Sequence, residues 1–397
     1  MCCDLCRNRR GVLAGGAGLA TVLFLVTVHA GRAQESGVSD RAVIDVVGDV
    51  LPESSWLRPQ DASRIFEGVR EEFARADLVF ANLEEPITSK KTVTRGKSPA
   101  AVRAGRDFVL RSRNPEIPII LKAAGVGLVG LANNHMMDYT SVGLRDTLRA
   151  FDKAQLPVVG AGFKPDAERA FIFNAHGYRI ALLAFTDVVP TNSEATEAKE
   201  GVASSKHEAD LVQAIRRARQ RADYVVLMMH WGGQGGHLIT KRQRELARLA
   251  AGAGCDAVVG MHPHVLQGIE FVGRTPVFYS IGNFAFPSSR SDARESLVLR
   301  LTFGAQGLET AEAAPVDISP AGAPSMASGS VAQAILAHLD GYCRMFNSRI
   351  DRGLVVTAAP RQVLAYDTSG GSPAQKGARR RRGSPKLRAS SSGRKGT

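Results

Sequence analysis

The chain has 397 residues, 44% of them hydrophobic and 6% aromatic, enough for the core of one large or two medium domains and too apolar for a wholly disordered protein. Its formal charge of +13 lies at the ends: the last 27 residues hold nine lysines and arginines and no acid, and the first 33 hold Arg7, Arg9, Arg10 and Arg32 against Asp4. The near-neutral body that remains excludes a broad phosphate-binding face, so no nucleic-acid partner is expected.

In chain order, residues 1–33 read as a signal peptide or membrane anchor. Arg7, Arg9 and Arg10 lead an uncharged stretch at 11–28, and Val28-His29-Ala30 or Gly31-Arg32-Ala33 supplies small residues for cleavage. Cleaved or kept, this segment places the main domain outside the cytoplasmic membrane, in the periplasm or on the outer face of that membrane. Residues 34–41 form a linker. Cys2, Cys3 and Cys6 belong to the leader, leaving Cys255 and Cys343 in the body as a disulfide or as two thiols, with a small core residue the reading for Cys255.

From 42 to 347 strands and helices alternate. Residues 42–47, 76–80, 126–131, 224–229 and 256–261 are apolar runs of strand length, rich in β-branched residues. Helical patterns fall at 62–75, 141–154, 206–221, 240–253 and 331–347, with short strands at 157–159 and 315–318. Strands at 171–174 and 178–185, and at 276–281 and 295–303, follow one another too closely for an intervening helix, so the sheets are expected to be mixed. The whole reads as an α/β sandwich, two sheets face to face with helices outside. Residues 348–368 form a C-terminal extension. Residues 369–397, made of Gly, Ser, Pro and Arg, read as a basic disordered tail that is either solvated or touches a membrane surface.

Five polar clusters end the five apolar runs: Gly48-Asp49, Asn82-Leu83-Glu84, Asn133-Asn134-His135, His230-Trp231-Gly232 and His262-Pro263-His264. Each has a plain reading, since Gly-Asp and Asn-Asn are ordinary turn chemistry and Glu84 precedes a Glu-Pro break. Unrelated turns have no reason to recur at the same end of successive strands, which is where open α/β sheets keep their chemistry. Oxygen and nitrogen donors without thiolates suit Mn, Fe, Zn or Mg. Two such cations could clamp a phosphate-like group and activate a water, with Asp49 or Glu84 as the bridging carboxylate. His262 and His264, two apart on a segment expected to be extended, would point the same way towards neighbouring ions. His237 is a candidate rim residue, and His29, His176, His207 and His338 read as surface or structural.

Gly48-Asp49-Val50, Asn82-Leu-Glu-Glu-Pro86, Leu131-Ala-Asn-Asn-His135 with Asp138, His230-Trp231-Gly232, Gly260-Met-His-Pro-His-Val265 and Tyr279-Ser-Ile-Gly-Asn-Phe284 together resemble the CapA family of bacterial capsule synthesis proteins, associated with poly-γ-glutamate. The resemblance covers residues 42–303 in order. That family is similar in fold to the calcineurin-like metallophosphoesterases, which implies a four-layer α/β/β/α sandwich with two mixed sheets and a dinuclear metal centre. Carried over, it implies Asp49 and His264 on the first metal, Glu84 as the bridge, and Asn134, His230 and His262 on the second. His135 would protonate the leaving oxygen with Asp138 orienting it, and Trp231 and Asn283 would contact substrate. Two positions depart from the pattern: Leu51 stands where the phosphoesterases have a first-metal histidine, and Met261 where the capsule family often has another. The resemblance thus implies a role in capsule or poly-γ-glutamate biogenesis, with an anionic polymer or phosphorylated substrate and membrane synthase subunits as partners. The alternatives are a working metal-dependent phosphoesterase on a phosphorylated or nucleotide-like substrate, and a non-catalytic subunit that handles polymer in a membrane synthase complex.

Overall fold

A computed structural model describes residues 40–52, 64–105, 107–346 and 348–357. The leader at 1–33 and the tail at 369–397 lie outside the described residues. In chain order the strands are β1 (Ala42–Val50), β2 (Leu78–Leu83), β3 (Val126–Gly130), β4 (Val158–Val159), β5 (Ala161–Gly162), β6 (Phe171–Ala175), β7 (Tyr178–Thr186), β8 (Gly201–Val202), β9 (Tyr224–His230) and β10 (Ala257–Met261). They continue with β11 (Ile269–Val272), β12 (Thr275–Phe278), β13 (Asn283–Ala285), β14 (Glu295–Gly304), β15 (Gly307–Ile318), β16 (Pro324–Met326), β17 (Ser348–Asp351) and β18 (Leu354–Thr357). The helices are α1 (Arg70–Phe73), α2 (Pro99–Arg103), α3 (Ile117–Ala124), α4 (Thr140–Ala154), α5 (Glu208–Arg219), α6 (Lys241–Ala253) and α7 (Gly329–Cys343).

Two mixed sheets carry the fold. The larger runs β17-β18-β15-β14-β1-β2-β3-β4, with β13 on β1 and β16 on β15; the smaller runs β11-β12-β10-β9-β7-β6. Within them β1 to β4 are parallel, as are β7, β9, β10 and β12. Parallel strands buried on both faces need apolar side chains on both, and β1 supplies them: Ile44 and Val46 enter the layer between the sheets, while Val47 and Val50 enter the layer under the helices. The central layer joins Phe80 and Leu128 of the large sheet to Val226, Met228 and Val259 of the small one. Outside, α3 and α4 cover the large sheet and α5 and α6 the small one. Each fully buried aliphatic side chain here contributes about 1.5–3 kcal/mol. The four-layer α/β/β/α sandwich is therefore the observed architecture.

Local chemistry sets the boundaries. Thr240 caps α6 through a reciprocal capping box with Gln243, and Gly254 ends it at φ 113°. At Gly48, where β1 leaves its regular register, an added Cβ would lie 2.1 Å from the carbonyl oxygen of Gly282, so only glycine lets the two backbones meet.

Two expectations need correction, and two become more specific. The described part of the 62–75 segment is a 3-10 turn at Glu67–Val69 followed by the single turn α1; Gly68 breaks the helical run and packs against Pro324 and Ser325. The strand expected at 315–318 begins at Gly307 and pairs antiparallel with β14 through Gly304, because that edge needs a partner. The extension after 347 adds the hairpin β17-β18 to the large sheet, turning at Arg352 and Gly353, both at positive φ. Cys255 and Cys343 are free buried thiols in separate core clusters, so no disulfide joins them. Among the described residues no helix is long and apolar enough to cross a membrane.

Candidate metal centre

The carboxyl ends of β1, β2, β3, β9 and β10 meet at one edge of the sandwich. Asp49 lies at the end of β1, where Asn82 Nδ2 donates to Oδ1 at 2.7 Å and the backbone N–H of His262 donates to Oδ2 at 3.1 Å. Glu84 follows the last residue of β2. Asn133 shapes the loop after β3: its Oδ1 accepts from the backbone of His135 and Met136, and its Nδ2 donates to the Leu83 carbonyl at 2.7 Å. His230 is the last residue of β9. His262 and His264 follow β10 in a turn, at φ 93° and 58°, and not on the extended segment expected. Non-glycine residues held there cost of order 1–3 kcal/mol each and persist where surrounding contacts dictate the geometry. The turn sends the two rings to adjacent groups of donors.

Two donor sets share Glu84. One ligand atom from each of Glu84, His230 and His262 lies within 4.8 Å of the others, and the same holds for Asp49, Glu84 and His264. His262 Nδ1 is 3.0 Å from His230 Nε2, which is 2.7 Å from Asn134 Oδ1 and 3.5 Å from Glu84 Oε1. His264 Nε2 is 3.6 Å from Glu84 Oε1, and its Nδ1 is 3.4 Å from Asp49 Oδ2. Asp49, Glu84, Asn134, His230, His262 and His264 thus come together at one edge of the sandwich.

Burial governs the electrostatics. Desolvation holds the Glu84 carboxyl well above the usual range, and the Asp49 charge beside it pushes the same way. Asp49 is also raised by burial, with His264 and the Asn82 hydrogen bond opposing. His230 and His262 are pushed well below the ordinary imidazole value by burial and by neighbouring imidazoles, so they are neutral at pH 7 with lone pairs to offer. Both oxygens of Glu84 are buried without a hydrogen-bond donor, and so is His230 Nδ1. Buried polar atoms are nearly always satisfied, and acceptors without donors, facing neutral imidazoles, are groups that could hold a cation.

Beside this centre, His135 Nδ1 is 2.8 Å from Asp138 Oδ2, the pair the motif implies. Sequence reasoning missed Lys97. Its ammonium, almost fully buried, sits 2.6 Å from Asp138 Oδ1 and 3.0 Å from His135 Nδ1, and donates to the Phe108 carbonyl at 2.7 Å. Asp138 Oδ2 also accepts from the backbone N–H of Leu110 at 2.7 Å. Burial lowers the His135 value, and the Asp138 hydrogen bond works against it.

Two residues expected at substrate are elsewhere. Trp231 has no exposed surface: its ring packs on Tyr279 in the layer under α6 and its Nε1–H donates to the Tyr279 carbonyl, because the strand alternation that aims His230 at the site turns the next residue inward. Asn283 is buried and 2.8 Å from His264 Nδ1 through Oδ1, with Nδ2 donating to the Ala293 carbonyl, so it orients the imidazole. Leu51 keeps its apolar side chain beside the first donor set, and Met261 is in the central core. His237 packs on Tyr342 and contacts the Leu266 carbonyl.

The chain is similar to known proteins over much of its length. Residues 43–288 match the family model described as bacterial capsule synthesis protein PGA_cap. The chain is 33% identical over 309 residues to the PGA biosynthesis protein CapA of Bacillus subtilis, covering 76% of this chain and 79% of that protein. It is 31% identical over 289 residues to the capsule biosynthesis protein CapA of Bacillus anthracis, covering 70% and 68%. Among solved structures it is similar to the NAD nucleotidase of Haemophilus influenzae, with a TM-score of 0.42 and 13% identity over 76% of this chain and 56% of that one.

Proposed function

The chain belongs to the family of bacterial capsule synthesis proteins PGA_cap, and from that premise we propose that it serves the biogenesis of an anionic polymer of the poly-γ-glutamate class through a metal-dependent, phosphoesterase-like site. The observation that carries the metal is Glu84, a buried carboxylate with no hydrogen-bond donor, set between two groups of histidine and carboxylate ligands. Asp49, Glu84 and His264 would hold one divalent cation, and Glu84, Asn134, His230 and His262 a second. Such ions supply Lewis acidity and charge neutralisation for a phosphate-like group. Asn82 and the His262 backbone fix Asp49, and Asn283 fixes His264. His135, held through Nδ1, presents Nε2 to give a proton to a departing oxygen. Residues 1–33 support export, with the domain acting outside the cytoplasmic membrane beside synthase subunits.

Metal analysis of full-length protein purified without chelator tests this: close to two ions per chain are expected, falling in His262→Ala and His264→Ala. Hydrolysis of an artificial phosphodiester is expected to drop about 10²–10⁴-fold in His135→Ala. Less than half an ion per chain, unchanged by either variant, sinks the proposal. Leu51, which leaves the first cation one imidazole short, favours a second reading, a polymer-handling subunit without turnover; full metal content with no hydrolysis of any phosphoester would select it.

A further inference from the structure

A cleft of about 220 Å³ opens onto the candidate centre, shared by Glu84, His135 and His264 with Leu51, Phe108, Leu110 and Phe286. No lysine or arginine lines it among the described residues. Phe108 is 51% exposed and lines the cleft beside Leu110 and Phe286. It is nonetheless held in place: its carbonyl accepts from Lys97, and two residues on Leu110 donates its N–H to Asp138, the groups that hold His135. Across the cleft the Phe286 ring lies 5.0 Å from the His264 imidazole. Leu51 forms part of the apolar wall.

A polyanion in such a cleft would bring a row of charges against hydrocarbon with no side-chain cation to meet them, which costs free energy. An amphiphile fits both ends. We propose that the cleft selects a phosphate ester whose organic part is aliphatic, its phosphate at Glu84, His135 and His264 and its chain along Leu51, Phe108 and Phe286. This deepens the proposed function and rests on its metal-dependent, phosphate-handling site. An isolated phosphate gains nothing from the apolar wall, whereas each methylene buried there strengthens binding about fourfold. A charged glutamate repeat, or a nucleotide with its polar ribose, gains no such increment.

Full-length protein loaded with Mn²⁺ would be titrated calorimetrically with methyl, butyl and octyl phosphate, adenosine monophosphate and a glutamate oligomer. Octyl phosphate is expected to bind at least tenfold more tightly than methyl phosphate, and Phe108→Ser and Phe286→Ser to shrink that ratio. Equal affinities along the series, or adenosine monophosphate or the oligomer binding more tightly than octyl phosphate, would overturn the proposal. The same titrations on chelator-treated protein separate the two readings. Affinities along the series that are the same with and without chelator, the chain-length ratio intact, sink only the metal site, and a full metal content with a flat series sinks only the aliphatic substrate.

Discussion

A carboxyl group in a dry pocket beside a second carboxylate keeps its proton until a cation replaces it, which is the position of Glu84 next to Asp49. Metal binding is therefore expected to release protons from this protein, and to do so increasingly as pH falls, since the raised value of Glu84 leaves more of it protonated. Calorimetric Mn²⁺ titrations in two buffers of different ionisation enthalpy would show this as a buffer-dependent heat, reduced in Glu84→Gln; a buffer-independent heat would contradict it. Lys97 carries a second prediction. Its ammonium meets the Asp138 carboxylate with both side chains almost fully buried, and removing one partner of such a pair leaves an uncompensated charge costing about 3–5 kcal/mol. Lys97→Met is expected to lose stability on that scale in urea unfolding, and an unchanged midpoint would show that the pair is not held in solution. Nothing in the chain marks Lys97. It lies 38 residues before His135, in a segment with Lys90, Lys91 and Arg95 that reads as solvated loop, and long-range pairing of this kind leaves no periodic trace.

Strands β1 and β14 show how an element is anchored as well as how it is recognised. Asp45 and Arg300 face each other in register, joined by two hydrogen bonds at 2.9 and 2.8 Å, and Arg300 also reaches Glu72 at 2.8 Å. Arg300→Met strands Asp45, while Glu72 keeps Arg75 at 2.9 Å, and is expected to cost about 3–5 kcal/mol, whereas the joint replacement Asp45→Leu with Arg300→Met costs much less because no buried charge is left alone. A double-mutant cycle from denaturant midpoints reads the difference, and equal losses in single and double variants would refute it. The strands that end at the site were legible because burial on both faces forces continuous apolar runs, as in β9 and β10. The front half of β15 was not: Glu309, Thr310 and Glu312 lie among small residues there, and only the edge of β14 makes the segment a strand. The turn carrying His262 and His264 escaped for a related reason, since positive φ at a histidine is imposed by what surrounds it and not by the residue itself.

The two sheets approach the site with different ligands. Asp49, Glu84 and Asn134 come from the large sheet or the loops leaving it, and His230, His262 and His264 from the small sheet or its following turn. A cation held by both sets ties one half of the sandwich to the other at the edge where Glu84 and His230 would otherwise keep unsatisfied polar atoms. Binding to the native state alone adds about 2.7 kcal/mol of stability at a hundredfold excess of ligand over its dissociation constant. For a body of this size that corresponds to roughly 5 °C in Tm. Chelation is therefore expected to lower the melting temperature by about that amount, with Mn²⁺ restoring it. Glu84→Gln, which removes the ligand common to both sets, should be insensitive to chelator, while the same treatment leaves far-ultraviolet circular dichroism at 25 °C unchanged because the apolar layer between the sheets holds them together unaided. If chelation left the wild-type transition where it was, the convergence of the six side chains would be an arrangement of the fold and not a site for metal.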